Sequence, residues 1–407
     1  MSRRRRGVPA GSRVAAGTAR RPATRAPAAA PRRALPTFIP DEAASDEELP
    51  QGITLNYWFD SGSGSHPYVA RLRFVGRRTG VDRPSGRDSF VREETVEVVP
   101  NSGPVSVSPR VFDINAGEWA VAAEMLSPNG GRPLAVRPRV GAPTVYPAAW
   151  SWPRWKLLVR SPAPLKTRLA PLTGFDAMPA VIPGSWMFLV ALGVVIGFLF
   201  QGRLLPYEHV APGRVFLISL LMVAAGIIGA KLWFIALKRT LRGVWRDGMC
   251  IQGALVGAAV VGLGALTLQH LPIGAVVDAT TPGLFVGIAV GRTGCFLTGC
   301  CAGRATSSRW ALWSSDRRVG ARRIPVQLLE SLSGLVIGLV GLVVVVRSGA
   351  GSGALFLASF AAYTLCRQGL LRLRAERRRS SMGGPITAAL AGVVLAGSIA
   401  VLIIGAH

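Results

Sequence analysis

The stretch VFLISLLMVAAGIIGAKLWFIAL (Val215–Leu237) carries a single charge, Lys231, in twenty-three residues. At ~1.5 Å rise per residue such a run crosses a hydrocarbon layer of ~30 Å, and a helix apolar on every face belongs in lipid rather than water. Six further runs obey the same rule: Val181–Phe200, Ile251–Leu268, Ala275–Leu297, Leu328–Val346, Gly353–Leu371 and Ile386–Ile404. They are rich in Gly and Ala, which lets helices approach closely in a membrane. An all-α polytopic membrane bundle of about seven transmembrane helices is therefore predicted over residues 178–407.

The rest of the composition agrees. Charged residues make up 17 % of the chain and the mean hydropathy is +0.37, values that exclude a uniformly soluble globule and a disordered chain. Five Cys in 407 residues exclude a disulfide scaffold. The 47 Lys and Arg against 21 Asp and Glu leave a net charge of +26, which needs a polyanion to face: lipid phosphate or nucleic acid.

Three segments precede the bundle. Residues 1–45 open with ten Arg, six Pro and no acid in the first forty, and cannot bury enough apolar surface to order themselves. A disordered basic arm is expected, either facing anionic lipid or nucleic acid or simply solvated, with no apolar run of signal-peptide length. Residues 50–142 alternate with period two at Ile53–Tyr57, Val69–Phe74, Thr95–Val98 and Trp119–Ala122, separated by Gly, Pro and Asn clusters. This predicts a small β-sandwich of immunoglobulin-like type, with no catalytic constellation and a binding or spacer role. Residues 143–177 form a linker in which Trp150, Trp152 and Trp155 alternate with bases. That pattern suits a membrane interface, or alternatively base stacking.

Parity of seven spans puts the connections after the second, fourth and sixth runs on one face, together with the N-terminal region. That face holds Lys238, Arg239, Arg242 and Arg246, then six Arg between Arg304 and Arg323, then five between Arg372 and Arg379. The other face holds only Arg203, Arg214 and Arg347. Intramembrane polar residues fall toward the basic face as well: Lys231, Gln252, Arg292, Glu330 and Arg367. Each could be a snorkelling anchor, yet a charge in a span is costly enough to mark a functional site. Arg292 and Arg367, opening toward one interface, would form a clamp for a phosphodiester, because guanidinium presents planar forked donors to phosphate oxygens.

Between these charges lies Gly291-Arg292-Thr293-Gly294-Cys295-Phe296-Leu297-Thr298-Gly299-Cys300-Cys301-Ala302-Gly303. Its four Gly permit tight turns with N–H groups turned inward, which suits an anionic head group. The C-x4-C-C spacing lacks the paired knuckles of a structural zinc site and the four His do not cluster with it, so no metal and no cofactor are expected.

This run resembles the signature G-R-x-G-N-F-x-N-G-E-x-x-G of the prolipoprotein diacylglyceryl transferase family. Three further stretches match in order: Gly248–Leu255 is similar to G-G-x-x-x-H-G-G-L, Pro325–Glu330 to P-S-Q-L-Y-E, and Tyr363–Arg367 to Y-G-x-x-R. The resemblance covers roughly Met178 to the C-terminus. It departs from the pattern where Gln252 replaces a His, Cys295 and Thr298 replace two Asn, and Cys300 replaces a Glu, which marks a divergent branch.

The resemblance implies a multi-pass protein of the bacterial cell (inner) membrane that moves a diacylglyceryl group from phosphatidylglycerol, or another anionic phospholipid, to the lipobox Cys thiol of a prolipoprotein. It implies Arg292 and Arg367 as phosphate-holding catalytic residues and Gln252 in the third catalytic position. Gly294, Cys295, Thr298, Gly299 and Gly303 would shape the substrate turn and Glu330 would brace it. Nucleic acid is not expected as a partner. The alternative is a non-catalytic anionic-lipid-binding or scaffold protein that kept the pocket. The family's site opens outside the cytoplasm, whereas the excess of bases on the site face argues the reverse by the positive-inside rule.

Overall fold

The computed structural model describes residues 50–126, 146–147, 165–176, 178–238, 250–349, 351–376 and 382–404. The basic arm and the three Trp of the linker lie outside the described residues. The first part is a β-sandwich of β1 (Gln51–Asp60), β2 (Tyr68–Arg78), β3 (Ser89–Val98), β4 (Pro104–Val107), β5 (Arg110–Ile114) and β6 (Glu118–Leu126), with the short strands β7 (Tyr146–Pro147), β8 (Leu165–Lys166) and β9 (Arg168–Leu169). One antiparallel sheet runs β3-β2-β6-β8, and a second is built around β1 and its neighbours β4 and β5. Ala70, Leu72 and Phe74 of β2 face Leu55, Val107 and Trp119 in a common core.

The expected alternation holds on β2, where Arg71 and Arg73 point to solvent and pair with Glu93. On β1 it fails, because Thr54 and Asn56 are buried as well. The segment after β9 covers that second face: Asp176 accepts a 2.6 Å hydrogen bond from Thr54 Oγ1. A strand sandwiched on both sides has no polar face to show.

Among the described residues, seven helices long and apolar enough to cross a membrane follow: α1 (Ser185–Leu204), α2 (Pro212–Lys238), α3 (Ile251–Leu268), α4 (Ile273–Thr298), α5 (Val326–Ser348), α6 (Ala354–Leu370) and α7 (Gly383–Ile404). Leu217, Leu221, Ile228, Val393 and Ile404 are among the large side chains left exposed, as a lipid-facing surface requires. Helix α4 is the hub, packing on α1, α5 and α6, whereas α2 pairs with α3 and α6 with α7. Its contact with α1 depends on absent side chains: a Cβ at Gly287 would stand 2.6 Å from Gly193 O, and one at Gly193 equally close to Gly287 O.

Asp278, at the far end of α4 from Arg292, is fully buried. Its carboxylate accepts the backbone N–H groups of Gly353 (2.7 Å) and Phe356 (2.9 Å), capping α6 from a neighbouring helix. Asp278→Ala leaves those donors unpaired in an apolar surrounding and will cost about 2 kcal/mol, read as a lowered Tm in detergent, with Asp278→Asn losing less.

Between α4 and α5 the chain leaves the bundle as a hairpin, β10 (Leu312–Ser315) and β11 (Val319–Arg323). This hairpin extends the second sheet of the sandwich to the order β10-β11-β4-β1-β5. Val319 and Gly320 pair with Val107 and Ser106 of β4, and Val319 enters the sandwich core. Trp313 stacks on Trp58 at 5.2 Å and donates Nε1–H to Pro104 O. Bundle and sandwich are thus sewn together on the face where α4 and α6 end.

Candidate functional site

Charge placement in the apolar runs decides what meets at that face. Glu330, on the first turns of α5, is fully buried. A carboxylate there survives only if it is paired. Two guanidiniums converge on it: Arg292 Nε lies 3.0 Å from Oε2 and Arg374 NH2 donates to Oε1 at 2.7 Å. Arg292 sits near the C-terminal end of α4 with its side chain 16 % exposed, flanked by Tyr363 and Cys295. Tyr363 in turn packs edge-on against Phe285. Arg374 Nε is buried with no hydrogen-bond partner among the described residues, leaving donor capacity beside the carboxylate.

The Gly-rich run continues from the end of α4 as a fixed loop. Gly299 takes a left-handed φ of +72°, and a Cβ there would stand 2.7 Å from Ser315 O. Gly303 is pressed against Ile324 O and bridges to Arg374. Gln327 donates to Cys300 O at 2.8 Å, and Arg304 donates N–H to Leu373 O at 2.9 Å. Arg323, buried, ties Gly303 O to Asp316 of the hairpin. These bonds tie the loop to α5, to the hairpin and to the segment after α6.

Above the loop opens a cavity of about 1600 Å³, walled by Cys300, Cys301, Arg304 and Arg372 on the bundle side and by Thr95 and Glu97 of β3 on the sandwich side. Cys295, Cys300 and Cys301 are free thiols, and Cys301 has a φ of +55°, unusual for a residue with a side chain. The Cys300 thiol beside it, with Arg374 and Arg292, pulls the Cys301 thiol down to about 6 against the opposing effect of burial. Cys300, donating to its neighbours, is itself pushed up. A depressed value means that the reactive thiolate is present above pH 6 rather than only above the usual thiol range. Alkylation of Cys301 by iodoacetamide, followed by mass spectrometry, will rise with pH through a midpoint below that of an ordinary thiol.

The sequence-derived residues fall in different places. Arg292 and Glu330 meet directly, and Gly299 and Gly303 shape the loop beside them. Cys295 is buried against Arg292, and Thr298 anchors the helix end through Ser185 Oγ (2.8 Å) and Arg317 Nε (2.9 Å). Gly294 faces α1, where a Cβ would stand 3.1 Å from Trp186 Cα, so it serves helix packing. Arg367 is half-buried one turn beyond Tyr363 on the same helix face and has no ion-pair partner among the described residues. The guanidinium that joins Arg292 at Glu330 is instead Arg374, which the sequence offers only as one base in a basic run. Gln252 is exposed on α3, where its Oε1 accepts from Cys250 Sγ at 2.8 Å, and α3 packs chiefly on α2.

The family model described as prolipoprotein diacylglyceryl transferase matches residues 184–405, more than half of the chain. Among curated proteins, a phosphatidylglycerol--prolipoprotein diacylglyceryl transferase of Nostoc sp. is 26 % identical over 262 residues, covering 58 % of this chain and 88 % of its own length. A second protein so named, with the suffix 2, from Streptomyces coelicolor is 26 % identical over 255 residues, covering 58 % of this chain and 80 % of its own. One from Clostridium perfringens is 29 % identical over 170 residues, covering 38 % and 65 %. The matched span begins one residue before α1 and ends after α7, leaving the sandwich outside it. With seven membrane spans and an Arg-bearing signature loop at their rim, the chain belongs to the prolipoprotein diacylglyceryl transferase family.

Proposed function

We propose that this protein is a transferase of the bacterial cell (inner) membrane that moves the diacylglyceryl group of phosphatidylglycerol to the lipobox Cys thiol of a prolipoprotein. The observation that carries this reading is the convergence of Arg292 and Arg374 on one buried carboxylate, next to a Gly-rich loop whose Cys300 and Cys301 line a cavity.

The chemistry is a displacement at carbon. The acceptor sulfur forms a C–S bond to the glyceryl carbon that bore the phosphate, the C–O bond breaks, and glycerol phosphate leaves with the electron pair. Negative charge grows on that phosphate during the step, so guanidinium donors in a water-poor rim lower the barrier. Arg292 and Arg374 take this role, with Arg367 one turn further out holding the head group on its approach. Glu330 is a positioning residue: it orients both guanidiniums and lets two like charges share one buried place. The thiol proton cannot go to Gln252, an amide. It can finish on the departing phosphate monoester, whose second pKa of roughly 6 exceeds that of the diester it came from.

The face bearing the site is placed outside the cytoplasm, where an anionic-lipid site accounts for the clustered bases. Alkaline phosphatase fused after Arg318 will then be active, and a purely cytoplasmic reporter signal would overturn that placement. The activity itself is tested by complementation of a transferase-depleted bacterium. Rescue is expected from the full chain and not from Arg292→Ala; failure of the membrane-inserted wild-type chain to rescue would remove the prolipoprotein acceptor from the account.

A further inference from the structure

The sandwich has no place in the matched family region, yet it walls the cavity over the Gly-rich loop. Among the described residues, strand β3 is the edge of its sheet and has its backbone partner in β2. Thr95 O accepts from Arg318 NH2 at 2.7 Å, so the backbone of Thr95 points away from β2. In an antiparallel pair both polar groups of a residue face the same side and the direction alternates along the strand. Glu97, two residues on, therefore turns its N–H and C=O outward too, and Thr95, Val96, Glu97 and Val99 all line the cavity. An unpaired edge of this kind is a template for an added strand.

Size and anchoring point to the same use. A drug-sized ligand needs roughly 300–1,000 Å³. A glycerophosphate head group is smaller still, so about 1600 Å³ leaves room for several residues of polypeptide. The wall is also held in register with the loop: Arg318 binds Thr95 O and reaches Glu94, while Ser108 N–H donates to Arg318 O. A tether or spacer needs no such attachment.

We propose that the β-sandwich is the acceptor-binding wall of the site, with an extended segment of the acceptor polypeptide lying in the cavity as a strand added along the β3 edge at Glu97. This rests on the transfer reading above and names its partner surface. The thiol then reaches the Gly-rich loop while the flanking residues are read by β3, and affinity comes from main-chain bonds that tolerate varied side chains.

The test uses the full chain in phosphatidylglycerol vesicles and two synthetic acceptors, one ending two residues after its lipobox Cys and one extended by ten. Glu97→Pro removes the outward N–H while sparing the β2 ladder, a change that edge strands accept. KM for the long acceptor is expected to rise about tenfold with kcat unchanged, the scale of one lost backbone hydrogen bond, and KM for the short acceptor to stay as it was. Independently of turnover, Glu97→p-benzoylphenylalanine is expected to photo-crosslink the long acceptor with its Cys replaced by Ser. Transfer to both acceptors with equal effects of Glu97→Pro, or crosslinks only to lipid or to a second copy of the chain, would overturn the proposal and leave the transfer reading standing. Crosslinking without transfer to either acceptor would do the opposite.

Discussion

Glu330→Ala will unfold the site before it can be assayed. The substitution removes the carboxylate that Arg292 and Arg374 share and leaves two guanidiniums uncompensated at a buried place. Breaking a buried ion pair by deleting one partner costs about 3–5 kcal/mol, a large share of the stability of a domain. The expected result is a sharp fall in Tm and in the yield of detergent-solubilised protein, with no transfer activity in what remains. Glu330→Gln, which keeps the shape and one acceptor oxygen, will lose less stability but still misplace Arg292. A Glu330→Ala protein with unchanged Tm would mean that the carboxylate does not hold the cluster together.

Arg292→Lys tests the chemistry with the fold preserved. Lys keeps the positive charge that Glu330 needs, but it replaces a planar fork by a point charge that cannot bind phosphate bidentately. Losing one preorganised donor to developing negative charge costs about 10²–10³ in kcat. Single-turnover transfer in phosphatidylglycerol vesicles will therefore drop by at least about a hundredfold, while Tm moves by only a few degrees. If Arg292→Lys keeps more than a tenth of wild-type activity, phosphate recognition by Arg292 is not the source of catalysis.

The contrast between these residues and others shows what was legible in the chain. Lipid imposes a length and an apolarity on every span, so the bundle can be read directly: the third helix, Ile251–Leu268, has the bounds its composition implies. Arg292 and Glu330 stood out for the same reason, as charges where charge is expensive. Arg374 did not. It lies in a run of bases after α6, and the bonds that Gly303 and Arg304 make to Leu373 and Arg374 bring it back to Glu330. Asp278 escaped because its partners, Gly353 and Phe356, are backbone groups about 75 residues away.

Pairing over distance hid the hairpin as well. The runs Leu312–Ser315 and Val319–Arg323 are short and carry two Arg, and they become strands because β4, some 200 residues earlier, offers an edge. Gln252 illustrates the reverse case. Its place in a matching motif predicts a site residue, and what the fold adds, an exposed position beside Cys250, could not be read from the motif. Local patterns therefore located the charged loop, and the folding of distant segments onto it determined which side chains complete it.

The most direct measurement is mass spectrometry of a lipobox peptide after incubation with the full chain in vesicles of phosphatidylglycerol. The expected result is a peptide heavier by one diacylglyceryl group in thioether linkage, with one glycerol phosphate released per peptide modified and neither product from Arg292→Ala. Unmodified peptide with intact phosphatidylglycerol, from protein shown to be folded by its Tm, would contradict the account.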